Sequence, residues 1–257
     1  MNDLINGDCL DVMANMDLES IDLTVTSPPY DQLRDYKGFS FNFEGVADQL
    51  FRVTKKGGVV VWVVGDSVIK GSESLSSFKQ ALYFKEIGFN VHDTMIYEKS
   101  GCSLPDPTRY FQSFEYMFVL SKGRPKTVNK IYDVKNKTVG HKQNTPRVRE
   151  RNGEMTSRVK REIPEYSYRR NIWKIGVGYM HTTKDKFAYE HPAMFPEKLA
   201  QDHIYTWSNR GDVVLDPFCG SGTTCKMAKM LERNYIGIEI SQEYLEIARK
   251  RLTQDII

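Results

Sequence analysis

Asp212-Val213-Val214-Leu215-Asp216-Pro217-Phe218-Cys219-Gly220-Ser221-Gly222-Thr223-Thr224 decides the fold. An apolar run ends in an acid and a proline, a glycine turn follows, and a helical pattern then runs from Gly222 to Arg233. Tyr235 to Ile240 reads as a second strand, which makes the whole a nucleotide-type strand–turn–helix–strand crossover. Gly220 and Gly222 allow backbone to pass close to a ligand at a helix N-terminus. Glu239 closes the unit at about the 20-residue offset from which an acid can hydrogen-bond ribose hydroxyls. A tight turn with no ligand would use the same residues. Three other sites are excluded. Cys225 stands where the dinucleotide fingerprint needs a third glycine, no Gly-Lys-Ser/Thr is present, and Gly220-Ser221-Gly222 lacks the spacing of a hydrolase nucleophile elbow.

Working outward, Ile21 to Thr26 reads as a buried strand that runs into Ser27-Pro28-Pro29-Tyr30. Two prolines carry no N–H, so this edge offers carbonyl and hydroxyl oxygens as acceptors, and Tyr30 adds a flat face for a planar ring. Such an edge suits an amino group, although Pro-Pro also simply ends a strand. The spacing predicts helices over 9–15, 43–53 and 76–87, with Lys55-Lys56-Gly57-Gly58 as a helix stop. Val59 to Val64 is apolar on both faces, the mark of a central strand covered on each side, and Val91 to Tyr97 and Glu115 to Leu120 continue the sheet. Ser241 caps a last helix in which Tyr244, Leu245, Ala248 and Leu252 share a face and Glu246 and Lys250 are spaced as an exposed pair. These elements predict a doubly wound α/β sheet.

The chain has 257 residues, 40% hydrophobic and 27% charged, enough for one α/β core with an inserted lobe. With a mean hydropathy of −0.49 it holds no apolar run of bilayer length. No basic, apolar leader opens it, so a cytoplasmic location is expected. Its four cysteines form no C-x-x-C pair, so neither a disulfide frame nor a metal is indicated. The net charge of +3 hides an asymmetry: residues 122–170 carry 15 Lys+Arg against 5 Asp+Glu, leaving the rest of the chain acidic. Residues 122–185, polar and basic with interspersed aromatics, read as an insert between halves 1–121 and 186–257.

Taken together, Asp216 to Thr224 resembles the S-adenosyl-L-methionine loop of the amino-methylating DNA methyltransferases, and Thr26-Ser27-Pro28-Pro29-Tyr30 resembles their catalytic motif. The order of catalytic motif, basic segment and cofactor loop is similar to the β-class of that family. The resemblance implies a Rossmann-like, circularly permuted sheet with a basic target-recognition insert at 122–185. It implies methyl transfer to an exocyclic amine of a flipped base, with Ser27, Pro28, Pro29 and Tyr30 as the catalytic edge.

For the cofactor, the resemblance implies contacts from Asp216, Pro217, Phe218, Gly220, Ser221, Gly222 and Thr223, with Glu239 and Ile240 at the ribose. Asp8 and Cys9 match the segment that reaches the adenine, although Asp8 would equally cap the helix after it. His191, Pro192 and Phe195 resemble the segment closing over the methionine end, although prolines framing a helix start would read alike. Lys142, Arg147, Arg149, Arg151, Arg158, Lys160, Arg161, Arg169 and Arg170 are candidate phosphate contacts, against the alternative of a solvated loop.

Serine at the head of the catalytic motif resembles cytosine-N4 enzymes more than adenine-N6 ones, which usually carry Asp or Asn there. Cytosine C5 methylation is disfavoured because no cysteine follows a proline. Double-stranded DNA is the expected partner, with a cognate restriction endonuclease and a second copy of the chain as further candidates. RNA or protein-glutamine methyltransferases use a similar edge, but generally place the cofactor loop before it.

Overall fold

The computed structural model describes residues 2–29, 41–101, 107–142, 147–157, 162–191 and 194–254, apart from the side chains of 147, 148 and 157. They fall into two compact units, Met1–Asn129 with Asn171–Ile257, and Lys130–Arg170. The larger unit runs β1 (Asn2–Asn6), α1 (Cys9–Ala14), β2 (Ile21–Thr26), α2 (Phe43–Val53), β3 (Thr54–Val64), α3 (Ser76–Glu86), β4 (Asn90–Lys99) and β5 (Phe114–Ser121). After the smaller unit it resumes with β6 (Ile172–Ile175), a short 3-10 helix (Lys186–Glu190), α4 (Glu197–Trp207), β7 (Val213–Asp216), α5 (Thr223–Met230), β8 (Asn234–Glu239) and α6 (Gln242–Thr253).

These strands make one eight-stranded sheet in the order β1-β8-β7-β2-β3-β5-β4-β6. The first five are mutually parallel. β5 runs antiparallel to both β3 and β4, and β6 is parallel to β4, so the sheet is mixed. β2 is buried along its whole length, and in β3 both alternating sets, Val59/Val61/Val63 and Val60/Trp62/Val64, are buried. α1, α2 and α3 pack as one group of helices and α4, α5 and α6 as another. Trp62 lies in the core with Val46, Leu50 and Phe84, and its indole N–H is satisfied by Gln80 Oε1 at 2.8 Å.

The glycines after α2 do not end the helix. α2 stops at Val53, and Thr54 already opens β3. The pairing of β2 with β3 shifts register between Ile21 and Leu23, where a Cβ on Gly58 would lie 2.8 Å from Thr54 Cγ2 and 2.9 Å from the Lys55 carbonyl. Gly58 therefore serves a strand irregularity. In α6, Glu246 pairs with Arg249 at 2.5 Å and not with Lys250, whose ammonium sits 4.2 Å above the Phe187 ring.

Gly222 precedes α5 with φ +77°, and a Cβ there would lie 2.7 Å from Ala248 Cβ and 3.1 Å from Ala248 Cα. Left-handed strain and overpacking against α6 together make Gly222→Ala cost about 2–5 kcal/mol, read as a lower thermal midpoint.

The smaller unit is built from two antiparallel strand pairs, Tyr132–Lys135 with Tyr166–Tyr168 and the hairpin Arg147–Arg149 with Met155–Ser157, plus a bridge between Lys142 and Glu162. Tyr132 and Tyr168 meet edge-on and both are exposed, with Lys130 above the Tyr168 ring.

Candidate active site

Open α/β sheets place ligands beyond the carboxyl ends of their strands. Here a cavity of about 730 Å³ opens at the ends of β7, β8 and β2, within the usual range for a small-molecule site. Ser27, Pro28 and Pro29 line it, as do Asp8, Cys9, His191, Phe195, Asp216, Pro217, Phe218, Gly220, Ser221, Thr223, Glu239 and Ile240. Gly222 is packed against Ala248 and is not part of that lining. Tyr30 and Pro192 lie outside the described residues.

The glycine turn is held by the acid that ends β8. Glu239 accepts from Gly220 N through Oε2 and from Ser241 N through Oε1, each at 2.9 Å. Each carboxylate oxygen keeps a further lone pair, and burial holds the Glu239 carboxyl above its ordinary range. Gly220 has φ +49°, and a Cβ on it would come within 2.8 Å of His191 Nε2, so its missing side chain lets the imidazole lie on the turn. The His191 ring also packs against Tyr244 in a T-shaped pair, with ring centroids 4.4 Å apart. Asp8 does cap α1, accepting from Leu10 N at 2.7 Å, while also facing the cavity.

Asp216 joins the two halves of the site. Its Oδ1 accepts from Thr26 Oγ1 at 2.7 Å, at the end of β2, and from Phe218 N at 3.2 Å, inside the turn. Burial is the main influence on this carboxyl and pushes it up to about 6, against the opposing pull of those donors. Because that value exceeds the 3.8 of an ordinary aspartate, the folded state binds the extra proton between the two, so stability falls as pH rises through that window. Asp216→Asn keeps the acceptor and removes the titration. The wild-type thermal midpoint should therefore drop from pH 4 to pH 7 relative to that of Asp216→Asn, and parallel profiles would contradict the assignment.

No described cysteine is set up as a nucleophile. Burial and the neighbouring Asp8 push the Cys9 thiol up to about 12, and Cys219 is raised by its contact with Cys225 and by burial. Cys102 lies outside the described residues.

Several features of the site have no local signature in the sequence. Arg251, fully buried on α6, donates to the Ser221 carbonyl and to Thr223 Oγ1, both at 2.9 Å, and pairs with Asp185 and Glu197. Phe41 packs edge-on against Phe218 beside the turn. Tyr97, Lys99 and Glu115 line the cavity from β4 and β5. Each depends on a partner distant in sequence, so neither periodicity nor a motif could have found them.

Of the basic residues singled out above, Lys142, Arg149, Arg151 and Arg170 are exposed in the smaller unit, whereas Arg169 is engaged by Asp133 at 2.9 Å. Arg147 lies on a hairpin strand and its side chain is outside the description; Arg158, Lys160 and Arg161 are outside the described residues altogether.

The family model for N6/N4 DNA methylases matches residues 21–250. This chain belongs to that family. It is 60% identical to the orphan methyltransferase M.BamHII of Bacillus amyloliquefaciens over 93% of the chain and 91% of that protein. Among solved structures, the putative DNA modification methylase TTHA0409 of Thermus thermophilus superposes with a TM-score of 0.67 at 25% identity, covering 100% of this chain and 96% of that one. It has also been solved complexed with S-adenosyl-L-methionine. The cytosine-N4-specific PvuII DNA methyltransferase shares the fold, with a TM-score of 0.71 at 21% identity over 100% of this chain and 88% of that one. No helix among the described residues of this methyltransferase is long and apolar enough to cross a membrane.

Proposed function

We propose that this DNA methyltransferase transfers the methyl group of S-adenosyl-L-methionine to N4 of a cytosine flipped out of the duplex. The observation that carries this reading is the proline-locked Ser27–Pro29 edge, which shares one cavity with the glycine turn. The donor set fits the cofactor. Glu239 has acceptor capacity for the ribose hydroxyls, Gly220 leaves backbone bare at the turn, and Phe195, Phe218 and His191 supply apolar and aromatic walls. Bound there, the cofactor supplies an electrophilic sulfonium methyl and leaves as S-adenosylhomocysteine.

The chain's own residues act on the other reactant. An exocyclic amine is a poor nucleophile because its lone pair is delocalised into the ring. Ser27 Oγ and the carbonyl oxygens of this edge accept its N–H groups and favour a pyramidal nitrogen aimed at the methyl. Catalysis then rests on alignment and electrostatics, with no covalent enzyme intermediate. The proton released from nitrogen leaves through these acceptors to solvent. Serine in place of a carboxylate supports cytosine over adenine. Tyr30 is assigned to stacking on the base.

The hairpin unit, with exposed Lys142, Arg149 and Arg151, is assigned to the DNA backbone around the displaced base. Similarity to a relative described as an orphan favours a solitary enzyme over one tied to a restriction endonuclease.

The test is incubation of unmethylated genomic DNA with the protein and methyl-labelled cofactor, then nucleoside digestion and mass spectrometry. Label in N4-methyldeoxycytidine is expected. Label in N6-methyldeoxyadenosine would keep the mechanism and overturn the choice of base.

A further inference from the structure

The strand order divides the cavity into two ends. The glycine turn follows β7, on one side of β2, whereas β3, β5 and β4 lie on the other. Thr26 stands level with Trp62, Trp62 with Phe118, and Phe118 with Thr94. Three residues beyond that row lead to Pro29 past the end of β2 and to Tyr97 on β4. Tyr97 therefore faces the cavity from beyond the acceptor edge, on the side away from the turn.

Tyr97 is only 2% exposed, and its hydroxyl meets no hydrogen-bond partner among the described residues. Burying an unpaired hydroxyl is destabilising, so a retained one is expected to serve a ligand. Its cross-strand neighbour Glu115 would be the obvious acceptor, but that carboxylate is turned to Lys99 at 2.5 Å and makes no hydrogen bond to the phenol. The phenol is thus left as a donor in a pocket wall.

We propose that the Tyr97 hydroxyl, kept available by the Lys99–Glu115 pair, hydrogen-bonds the ring of the flipped base and sets its position against the Ser27–Pro29 edge. The ring nitrogen next to the amino-bearing carbon, N3 in cytosine, is an acceptor lying beside the amine that Ser27 holds. A donor there fixes the rotation of the ring and so the direction of the amine lone pair. Tyr97 is a positioning residue, and its role rests on the amino-transfer reading given above.

Tyr97→Phe removes only the hydroxyl. Three quantities are measured on wild type and variant: cofactor affinity by calorimetry, thermal midpoint without DNA, and kcat/KM for labelled transfer to unmethylated genomic DNA. The expected result is transfer reduced by about 10-fold or more, cofactor affinity within about two-fold, and a midpoint equal to or above wild type, because an unpaired buried group has been removed. Unchanged kcat/KM in the variant would overturn the proposal alone. So would a loss of cofactor affinity equal to the loss of transfer, which would move Tyr97 to the cofactor end, or a lowered midpoint with transfer unaffected, which would leave it a packing role. A wild type that labels neither cytosine nor adenine would overturn the amino-transfer reading and this inference with it.

Discussion

Ser27→Ala lowers methyl transfer by about 100-fold or more while cofactor affinity stays within about two-fold of wild type, if the acceptor edge acts as described. Ser27 follows β2 directly, and it is the only side chain of the Ser27–Pro29 edge with a polar group. The prolines fix their own φ and withhold N–H donors, so the backbone carbonyls remain in the variant and part of the alignment survives. The glycine turn is held by Glu239 and Asp216 through the Gly220 and Phe218 amides, which the substitution leaves in place. Cofactor binding and transfer should therefore separate cleanly. Kinetics of labelled transfer beside calorimetric titration of the cofactor check this, and a parallel loss of both would contradict it.

Arg251→Met is expected to be the most damaging single change to the cofactor turn. The guanidinium is wholly buried and sits between two acids, Asp185 at 2.8 Å and Glu197 at 2.7 Å, while also donating to Ser221 and Thr223. Removing one member of a buried ion-paired cluster typically costs about 3–5 kcal/mol, because the remaining charges stay desolvated. Lys226 reaches the same two acids at 2.7 and 2.8 Å, so the loss should fall at the lower end of that range. The freed Ser221 carbonyl loosens the turn, and cofactor affinity falls along with the thermal midpoint. A variant with a wild-type midpoint and wild-type affinity would show that the turn needs no such support.

What was legible in the sequence was whatever is local. β2 announces itself by its alternating Ile21, Leu23 and Val25, and the second half of β3 is a continuous apolar run because helices cover both faces of the sheet, while the Asp216–Thr224 turn carries its own signature in glycine and acid spacing. Gly57 and Gly58 misled because a glycine pair after a helix and one at a strand irregularity are the same two letters; only the register with β2 distinguishes them. β1 was not anticipated because its five residues include only two apolar ones and it owes its place to pairing with β8. β6 was hidden in a polar stretch for the same reason: it is an edge strand whose one partner among the described residues is β4.

The site divides along the same line. Ser27, Asp216, Gly220 and Glu239 belong to motifs, and all four line one cavity. Arg251, Tyr97 and the Lys99–Glu115 pair act through tertiary neighbours, so no window of sequence announces them. Asp8 shows that two readings of one residue need not compete, since it caps α1 and faces the cavity at once.

A crystal structure of the protein with S-adenosylhomocysteine would test most directly the claim that one cavity joins the cofactor turn to the amine-holding edge. With an attacking nitrogen about 3 Å from the methyl and a hydrogen bond of similar length to serine, the sulfur should lie about 5–8 Å from Ser27 Oγ. Its ribose hydroxyls should rest on Glu239. A sulfur pointing away from Ser27, or a ligand bound outside this cavity, would contradict the account.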